Sequence, residues 1–299
     1  MARATGQSPL VIFGASGQVG GAIFREATRR GLRVVGTYRG HPQPGLVPWE
    51  ADRSAADLLE RDTPWAVIYA VGFTNVDACE THEEEANRWN ARVPVEMARA
   101  GRGRFQVVYF STDYVFDGAG GPYAEADAVR PLSAYGRSKV RGEEGVLSVN
   151  PSALVVRTTV VYGPEAQGKN FVAQIRARLS AGDRMRVAND QLSTPTYNED
   201  LAAGTLDLLE RQASGIWHVS GPEVMSRAAL AQLAAETFHL DAQGVEPTPT
   251  ALLRQSARRP LHAGLKIDKL LHAALPHPVR SAREGLQAYA AGEGHARPQ

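Results

Sequence analysis

The segment Ala134–Lys139 places a tyrosine and a lysine four residues apart. On a helix, side chains at positions i and i+4 lie on one face, one turn apart. A lysine ammonium near a phenol favours the phenolate, so we expect the pKa of Tyr135 to fall below its usual value of about 10. A phenol tuned in this way can exchange a proton near neutral pH, which is general acid–base chemistry. Taken alone, such a pair is more often a solvated structural contact than a catalytic one, so the rest of the chain must decide.

Strands alternate with helices before this pair. Short apolar runs predict strands at 9–15, 32–38, 45–52, 65–72, 104–111 and 153–163, and helices are predicted at 18–30, at 80–100 and around Tyr135. Continuous apolar strands that each return through a helix predict an α/β fold, a Rossmann-type doubly wound parallel sheet. Such a sheet binds its ligand beyond the carboxyl ends of the strands.

The regular alternation ends after Tyr162. Short strands at 184–190 and 215–221 and helices near 198–212 and 226–238 predict a smaller lobe. We therefore expect an NADP-binding Rossmann domain at 1–162 and a mainly substrate-binding lobe at 163–290, which can interleave with the first domain. Residues 291–299 are polar and rich in glycine and proline, which predicts a flexible tail.

Composition excludes several classes of protein. The 299 residues include 33 Lys and Arg against 32 Asp and Glu, so no strong basic field favours nucleic acid or a membrane surface. No apolar run reaches the roughly 18 residues of a membrane-spanning helix. A single cysteine, Cys79, excludes an internal disulfide and favours a reducing cytoplasm. We interpret Cys79 as a small, half-buried helix residue rather than a nucleophile.

Three glycines follow the first predicted strand and open a helix. Gly14, Gly17 and Gly20 have the spacing GxxGxxG. In this context, glycines let the backbone turn tightly and approach a pyrophosphate, whose charge then lies at the helix N-terminus. The segment predicts dinucleotide binding.

The end of the second strand bears on cofactor choice. An NAD site would carry a carboxylate there, whereas this chain has Arg39, whose guanidinium suits a 2′-phosphate. We favour this role over that of a solvated surface arginine. Asp52, at the end of the third strand, is placed to accept from the adenine amino group, and the small residues at 69–74 would let the cofactor pass closely.

The fifth strand ends at Ser111 and Thr112, 23 residues before Tyr135. Strand-end hydroxyls are commonly caps or turn formers. Here, however, a hydroxyl, a phenol and an ammonium would converge on a nicotinamide, which is an arrangement for hydride transfer.

In these motifs, the chain resembles extended short-chain dehydrogenases/reductases of the dTDP-4-dehydrorhamnose reductase family. The matching segments run from FGASGQVG at residue 13 through STDYVFDG and AYGRSK to RRPLHAGL near residue 265. The resemblance implies a catalytic triad of Thr112, Tyr135 and Lys139 and a supporting role for Asn90. It implies further contacts: with the cofactor at Gly17, Gln18, Val19, Asp52, Gly72 and Phe73, and with the substrate at Thr74, Asp113 and Tyr114.

The chain departs from the family pattern at two positions. Val160 stands where a tryptophan is expected to contact the substrate, which leaves the exact sugar open. Ser193 replaces a more usual glycine. The glutamates that hold a metal between subunits in some members cannot be located, so we assign no metal.

The resemblance implies that NADPH reduces the C4 ketone of a nucleotide-activated 4-keto-6-deoxy sugar, with NAD(H) as the alternative cofactor and a homodimer as the candidate assembly. Dehydratases of this fold carry Thr-Asp-Glu where this chain has Thr112-Asp113-Tyr114, which favours reduction over water elimination. Two alternatives stay open: a non-catalytic NADP-binding regulatory subunit of the methionine adenosyltransferase beta type, and another extended dehydrogenase or epimerase acting on nucleotide sugars.

Overall fold

The computed structural model describes residues 8–49, 59–60 and 63–295 of the chain. The strands are β1 (Leu10–Phe13), β2 (Val34–Tyr38), β3 (Leu46–Pro48), β4 (Ala66–Tyr69), β5 (Gln106–Thr112), β6 (Leu154–Thr158), β7 (Val161–Tyr162), β8 (Met185–Ala188), β9 (Leu192–Ser193), β10 (Thr196–Tyr197), β11 (Gly215–His218), β12 (Met225–Ser226) and β13 (Val245–Thr248). The α-helices are α1 (Gln18–Arg29), α2 (Val76–Thr81), α3 (Glu83–Asn87), α4 (Val93–Gly101), α5 (Ala134–Val149), α6 (Phe171–Ser180), α7 (Asn198–Glu210), α8 (Arg227–Thr237), α9 (Asp268–His272) and α10 (Ala282–His295). A π-helical segment, Arg88–Arg92, joins α3 to α4.

Seven parallel strands form the central sheet in the order β11-β6-β5-β4-β1-β2-β3. From β1 the chain builds outward to β2 and β3 on one side, then crosses to β4 and continues to β5 and β6. The predicted doubly wound parallel sheet is confirmed. This reversal creates a crevice at the carboxyl ends of β1 and β4, where ligands bind in such folds.

Strand side chains alternate between two buried layers, which explains the continuous apolar runs. Leu10 and Ile12 of β1 pack beneath α1 and α7, and the intervening Val11 and Phe13 pack against the opposite layer, which includes α4 and α5. All four side chains are fully buried. Both faces of the sheet are therefore covered, and the carboxyl edge presents the exposed site.

The chain returns to the sheet after residue 163. The predicted strand at 215–221 is β11, which pairs with β6 in the central sheet, and α7 packs on α1. The pairs β7–β10, β8–β13 and β9–β12 form the rest of the second lobe with α6, α8 and α10. The two predicted regions thus interleave, and a division at residue 162 stays a prediction. In the described ranges, no helix combines the length and apolarity needed to cross a membrane.

The single helix predicted at 80–100 is wrong in detail. The structure has α2, a break at His82, α3, the π-helical segment and α4. Pro94 explains part of the difference, because it lacks the N–H that would bond to the carbonyl of Asn90 in a regular helix.

The strand predicted at 153–163 is also divided. β6 ends at Thr158, Val160 has a φ of +41°, and β7 pairs with β10 outside the central sheet. The backbone turns here because the chain leaves the sheet for the second lobe.

A buried ion pair joins α5 to β6. The Arg157 guanidinium donates from Nε and Nη2 to the two carboxylate oxygens of Glu143, at 2.8 and 2.6 Å. The two side chains are 2% and 4% exposed. Since water cannot replace a lost partner at this depth, removing one charge leaves the other uncompensated.

We predict that Glu143→Gln lowers the free energy of unfolding by about 3 kcal/mol, measured by urea denaturation. The matched control is Glu83→Gln, because Glu83 pairs with Arg141 at 3.4 Å with both side chains about half exposed. That change should cost less than about 1 kcal/mol. Equal effects of the two substitutions would contradict the structural role of the buried pair.

Candidate active site

The glycine-rich segment turns from β1 into α1 at the carboxyl edge of the sheet. Gly14 has a φ of +85°, and a β-carbon on Gly20 would collide with the Gly14 carbonyl oxygen. Only glycine permits this turn and this approach of helix to strand. In the described chain, Gly17 caps α1 without a side-chain hydrogen bond, and the first turn has no acidic residue. The N–H groups of this helix end are therefore available to an anion.

Thr112, Tyr135 and Lys139 meet in one cleft beside this helix end. Thr112 is the last residue of β5, and Tyr135 and Lys139 lie one turn apart on α5. The cleft has a volume of about 390 Å³. Its wall also contains the predicted residues Gln18, Val19, Gly72, Thr74, Asp113 and Tyr114. The arrangement can present a phenol, a hydroxyl and an ammonium to one ligand.

Burial controls the protonation of Tyr135 and Lys139, which are 8% and 4% exposed. Burial raises the pKa of Tyr135 above its ordinary value and lowers the pKa of Lys139 to about 8. The expectation that Lys139 lowers the pKa of Tyr135 is therefore wrong for the protein alone. Lys139 Nζ instead donates to the Phe110 carbonyl oxygen at 3.0 Å. At neutral pH, Tyr135 is a protonated phenol, the form that can donate a proton.

Asp113 is held between two threonine hydroxyls. Thr112 Oγ1 donates to one carboxylate oxygen at 3.0 Å and Thr159 Oγ1 to the other at 2.6 Å. Burial raises the pKa of Asp113 to about 6, while the two hydrogen bonds oppose that shift. Thr112 Oγ1 also accepts from the Tyr114 N–H at 3.2 Å. In the protein alone, the Thr112 hydroxyl proton is thus directed at Asp113.

Asn90 fixes the segment in which Gly72, Phe73 and Thr74 lie. Its Oδ1 accepts from the Phe73 N–H, and its Nδ2 donates to the Phe73 carbonyl and to Ser138 Oγ, each at 3.0 Å. Asn90 is fully buried. It therefore connects the loop after β4 to the helix that carries Tyr135.

Arg39 lies apart from this cleft. It is exposed at the end of β2, and its guanidinium carbon lies 3.9 Å from the centre of the Trp89 ring. It lines a neighbouring groove with Arg88 and Arg92. Asp52, predicted to contact adenine, lies outside the described residues.

The cleft wall also contains Ser111, as the sequence predicted, and four residues that went unpredicted: Thr159, Lys169, Phe171 and Arg227. Ser111 Oγ is buried and has no hydrogen-bond partner in the described chain. The strand-end motif pointed to Ser111, but no local signal placed the last three residues near a cleft built mainly by the first half of the chain.

Val160 also lines the cleft. This is the position where the family pattern has tryptophan, so the departure falls within the site itself. A small aliphatic side chain leaves more room there than an indole would.

One protein family matches nearly the full length of the chain. The family described as RmlD substrate binding domain matches residues 8–293. The chain belongs to this family. As a member of the RmlD family, it is 36% identical over 286 residues to the dTDP-4-dehydrorhamnose reductase of Mycobacterium tuberculosis, with 93% of this chain and 90% of that protein covered.

Two other relatives bear on function. The crystal structure of the dTDP-4-dehydrorhamnose reductase of Bacillus anthracis in complex with NADP is 25% identical and has a TM-score of 0.85, with 96% of this chain and 99% of that chain covered. The methionine adenosyltransferase 2 subunit beta of Danio rerio is 27% identical over 270 residues, with 87% of this chain and 83% of that protein covered. This chain of the RmlD family is thus similar both to a reductase crystallised with NADP and to a protein named as a subunit.

The described residues of this RmlD family member contain no group of three or more His, Cys, Asp or Glu side chains arranged to hold a metal ion. The assignment of no metal stays a prediction.

Cys79 lies on α2 and is fully buried, deeper than the half-buried position expected. Burial raises the pKa of its thiol to about 11. Its Sγ lies 3.5 Å from the Phe73 carbonyl oxygen. Because the thiolate is the reactive form, this environment makes Cys79 inert.

We predict that Cys79 reacts with a chromogenic disulfide reagent at pH 8 at least about a hundredfold more slowly in the native protein than in guanidinium chloride. The measurement is the absorbance of the released thiolate over time. Comparable rates in the two states would show that the thiol is accessible and ionised in the fold.

Proposed function

We propose that this protein reduces the C4 ketone of a nucleotide-activated 4-keto-6-deoxy sugar with NADPH. The observation that carries the proposal is the convergence of Thr112, Tyr135 and Lys139 in one cleft beside an uncapped helix N-terminus. The names of the relatives support the reaction and the substrate class. NAD(H) remains the alternative cofactor, and the cytoplasm and a homodimer remain predictions.

The described residues fit a dinucleotide. Gly14, Gly17 and Gly20 let the backbone approach a pyrophosphate at the start of α1, where Gln18 and Val19 would also contact it. When bound, NADPH supplies the hydride for the ketone carbon. Gly72 and Phe73 would pass close to the nicotinamide half, and the unpartnered Ser111 hydroxyl offers a further polar contact.

Tyr135 would protonate the oxygen of the reduced ketone. Burial keeps its phenol protonated at neutral pH, as a general acid requires. Thr112 would turn its hydroxyl proton from Asp113 to the same substrate oxygen and hold it near Tyr135. Lys139 would bind the nicotinamide ribose, and its ammonium would stabilise the phenolate left after proton transfer. Thr74 and Tyr114 would face the sugar.

The cleft favours reduction over dehydration. Tyr114 occupies the position of the dehydratase glutamate, and its ring meets that of Tyr135 edge-on at 5.6 Å. Asp113 is enclosed by Thr112 and Thr159. The second acid needed for water elimination is therefore replaced by a phenol.

The rival function is a regulatory subunit, which the relative from Danio rerio favours. Absorbance of NADPH at 340 nm, followed against a panel of nucleotide 4-keto sugars, distinguishes the two. A reductase consumes NADPH with at least one sugar. A regulatory subunit shows no turnover and co-purifies with a synthetase.

We predict that Tyr135→Phe reduces turnover by about 10² to 10⁴-fold while the dissociation constant of NADPH stays within about twofold. Phenylalanine keeps the ring packing and removes the proton donor. Tyr123→Phe is the control, because Tyr123 donates to Asp117 outside the cleft. If Tyr135→Phe keeps more than about a tenth of wild-type turnover, Tyr135 is not the acid.

We predict that NADPH binds more tightly than NADH and that Arg39→Ala lowers the ratio of the two affinities by about 10- to 100-fold. A guanidinium can clamp a 2′-phosphate through charge-assisted hydrogen bonds, and stacking on Trp89 restricts its direction. The measurement is fluorescence titration with both cofactors.

Arg104→Ala is the control for this titration. Arg104 is also exposed and lies over an aromatic ring, that of Phe105, but it precedes β5 at the opposite edge of the sheet. An unchanged ratio in Arg39→Ala, or equal binding of both cofactors by the wild type, would refute the role of Arg39.

A further inference from the structure

The second lobe contributes a cationic wall to the cleft. The ionisable residues of the described lining, apart from tyrosines, are Lys139, Lys169, Arg227 and Asp113. Asp113 already accepts two hydrogen bonds, and Lys139 donates to the backbone. Lys169 and Arg227 therefore give the wall facing the Rossmann half an excess of positive charge.

Arg227 is held in place by its helix. It is the first residue of α8, which Ser226 caps by accepting from the Ala229 N–H at 3.0 Å. The Arg227 N–H donates to the Gln191 carbonyl at 3.1 Å. An eleven-residue helix adds a partial positive charge at this end. The backbone of Arg227 is thus fixed where an anion is favoured.

The guanidinium lies against aromatic side chains of the cleft wall. Its central carbon lies 5.1 Å from the centre of the Phe171 ring. Burial raises the pKa of Tyr114, and the positive charge of Arg227 opposes that shift. Tyr114 in turn contacts Tyr135. No carboxylate of the described chain lies within ion-pair distance of Arg227, so its charge is available to a ligand.

We propose that Arg227, with Lys169 as the second cation of the same wall, binds the diphosphate of the nucleotide-sugar substrate. The proposal rests on the function proposed above and adds the subsite that orients the sugar. A diphosphate on C1 and a ketone on C4 lie at opposite ends of a pyranose ring. Arg227 therefore anchors one end while Tyr135 and Thr112 hold the other, and its planar fork suits phosphate oxygens.

The test is calorimetric binding of dTDP, UDP and GDP to the protein saturated with NADP⁺. For the nucleotide that binds, Arg227→Met should weaken binding by at least about tenfold, and Arg227→Lys by less. The affinity of Arg227→Met should also depend less on salt. The dissociation constant of NADPH should stay within about twofold, which verifies the fold.

Arg176→Met is the matched control. Arg176 is an arginine of the same lobe that lies over the Phe238 ring at 4.0 Å, outside the cleft lining. If Arg227→Met no longer binds NADPH, Lys169→Met replaces it, with an expected loss of at least about fivefold. Unchanged nucleotide affinity in the folded variant, or no binding of any of the three nucleotides by the wild type, overturns the proposal.

Kinetics separate this inference from the proposed function. Arg227→Met should raise KM for the nucleotide sugar with a much smaller change in kcat, since the diphosphate is distant from the reacting carbon. Diphosphate binding that depends on Arg227 without any ketone turnover refutes the reductase alone. Turnover with an unchanged KM refutes the subsite alone.

Discussion

Pro94 and two tyrosines of the central sheet, Tyr69 and Tyr109, determine the backbone hydrogen bonding of the π-helical segment behind the cleft. In the π-helical segment, the Val93 N–H bonds to the carbonyl of Arg88 rather than to that of Trp89. Pro94 has no N–H, so it can serve neither Asn90, four residues earlier, nor Trp89, five residues earlier. The sheet supplies the missing donors: Tyr69 donates to the Trp89 carbonyl at 2.7 Å and Tyr109 to that of Asn90 at 2.6 Å.

This constraint aims the Asn90 side chain at the site. Tyr109 holds the Asn90 carbonyl from the sheet. The Asn90 side chain then hydrogen-bonds to the backbone of Phe73 and to the Ser138 hydroxyl, which lies on the same helix as Tyr135 and Lys139. Single π-helical turns are frequent at functional sites, where they redirect one side chain. The positions of the loop and the catalytic helix therefore depend on one buried amide, which explains how two distant sequence segments keep a fixed geometry.

The features of the fold and the site that depend on local residue patterns could be predicted from the sequence. Apolar runs identified the sheet, and the glycine spacing and the Tyr135–Lys139 pair identified the two sides of the crevice. The direction of the Tyr135 pKa shift could not be predicted, because spacing does not reveal depth of burial. The interruption of the helix predicted at 80–100 depends on hydrogen bonds from tyrosines on other strands, which the local sequence does not reveal. Arg227 lies 92 residues beyond Tyr135 in a lobe without regular periodicity, so only the folded chain shows that both line one cleft.

The two lobes divide the chemistry between them. The Rossmann half presents a helix end free of side-chain caps and a protonated phenol, and the second lobe presents two cations to the same cleft. This division suits one ligand whose reactive part meets the first half and whose charged part meets the second. Val160 lies on the wall between these parts, so its size bears on which sugar fits.

The central claim is that a hydride passes from NADPH to a sugar ketone in this cleft. The most direct measurement uses NADPH carrying deuterium at the transferable C4 position and mass spectrometry of the nucleotide-sugar product. We expect oxidation of one NADPH to give one product carrying one deuterium at C4 of the sugar, and Tyr135→Phe to form this labelled product about 10² to 10⁴-fold more slowly. Tight NADPH binding without label transfer to any nucleotide 4-keto sugar would contradict this claim.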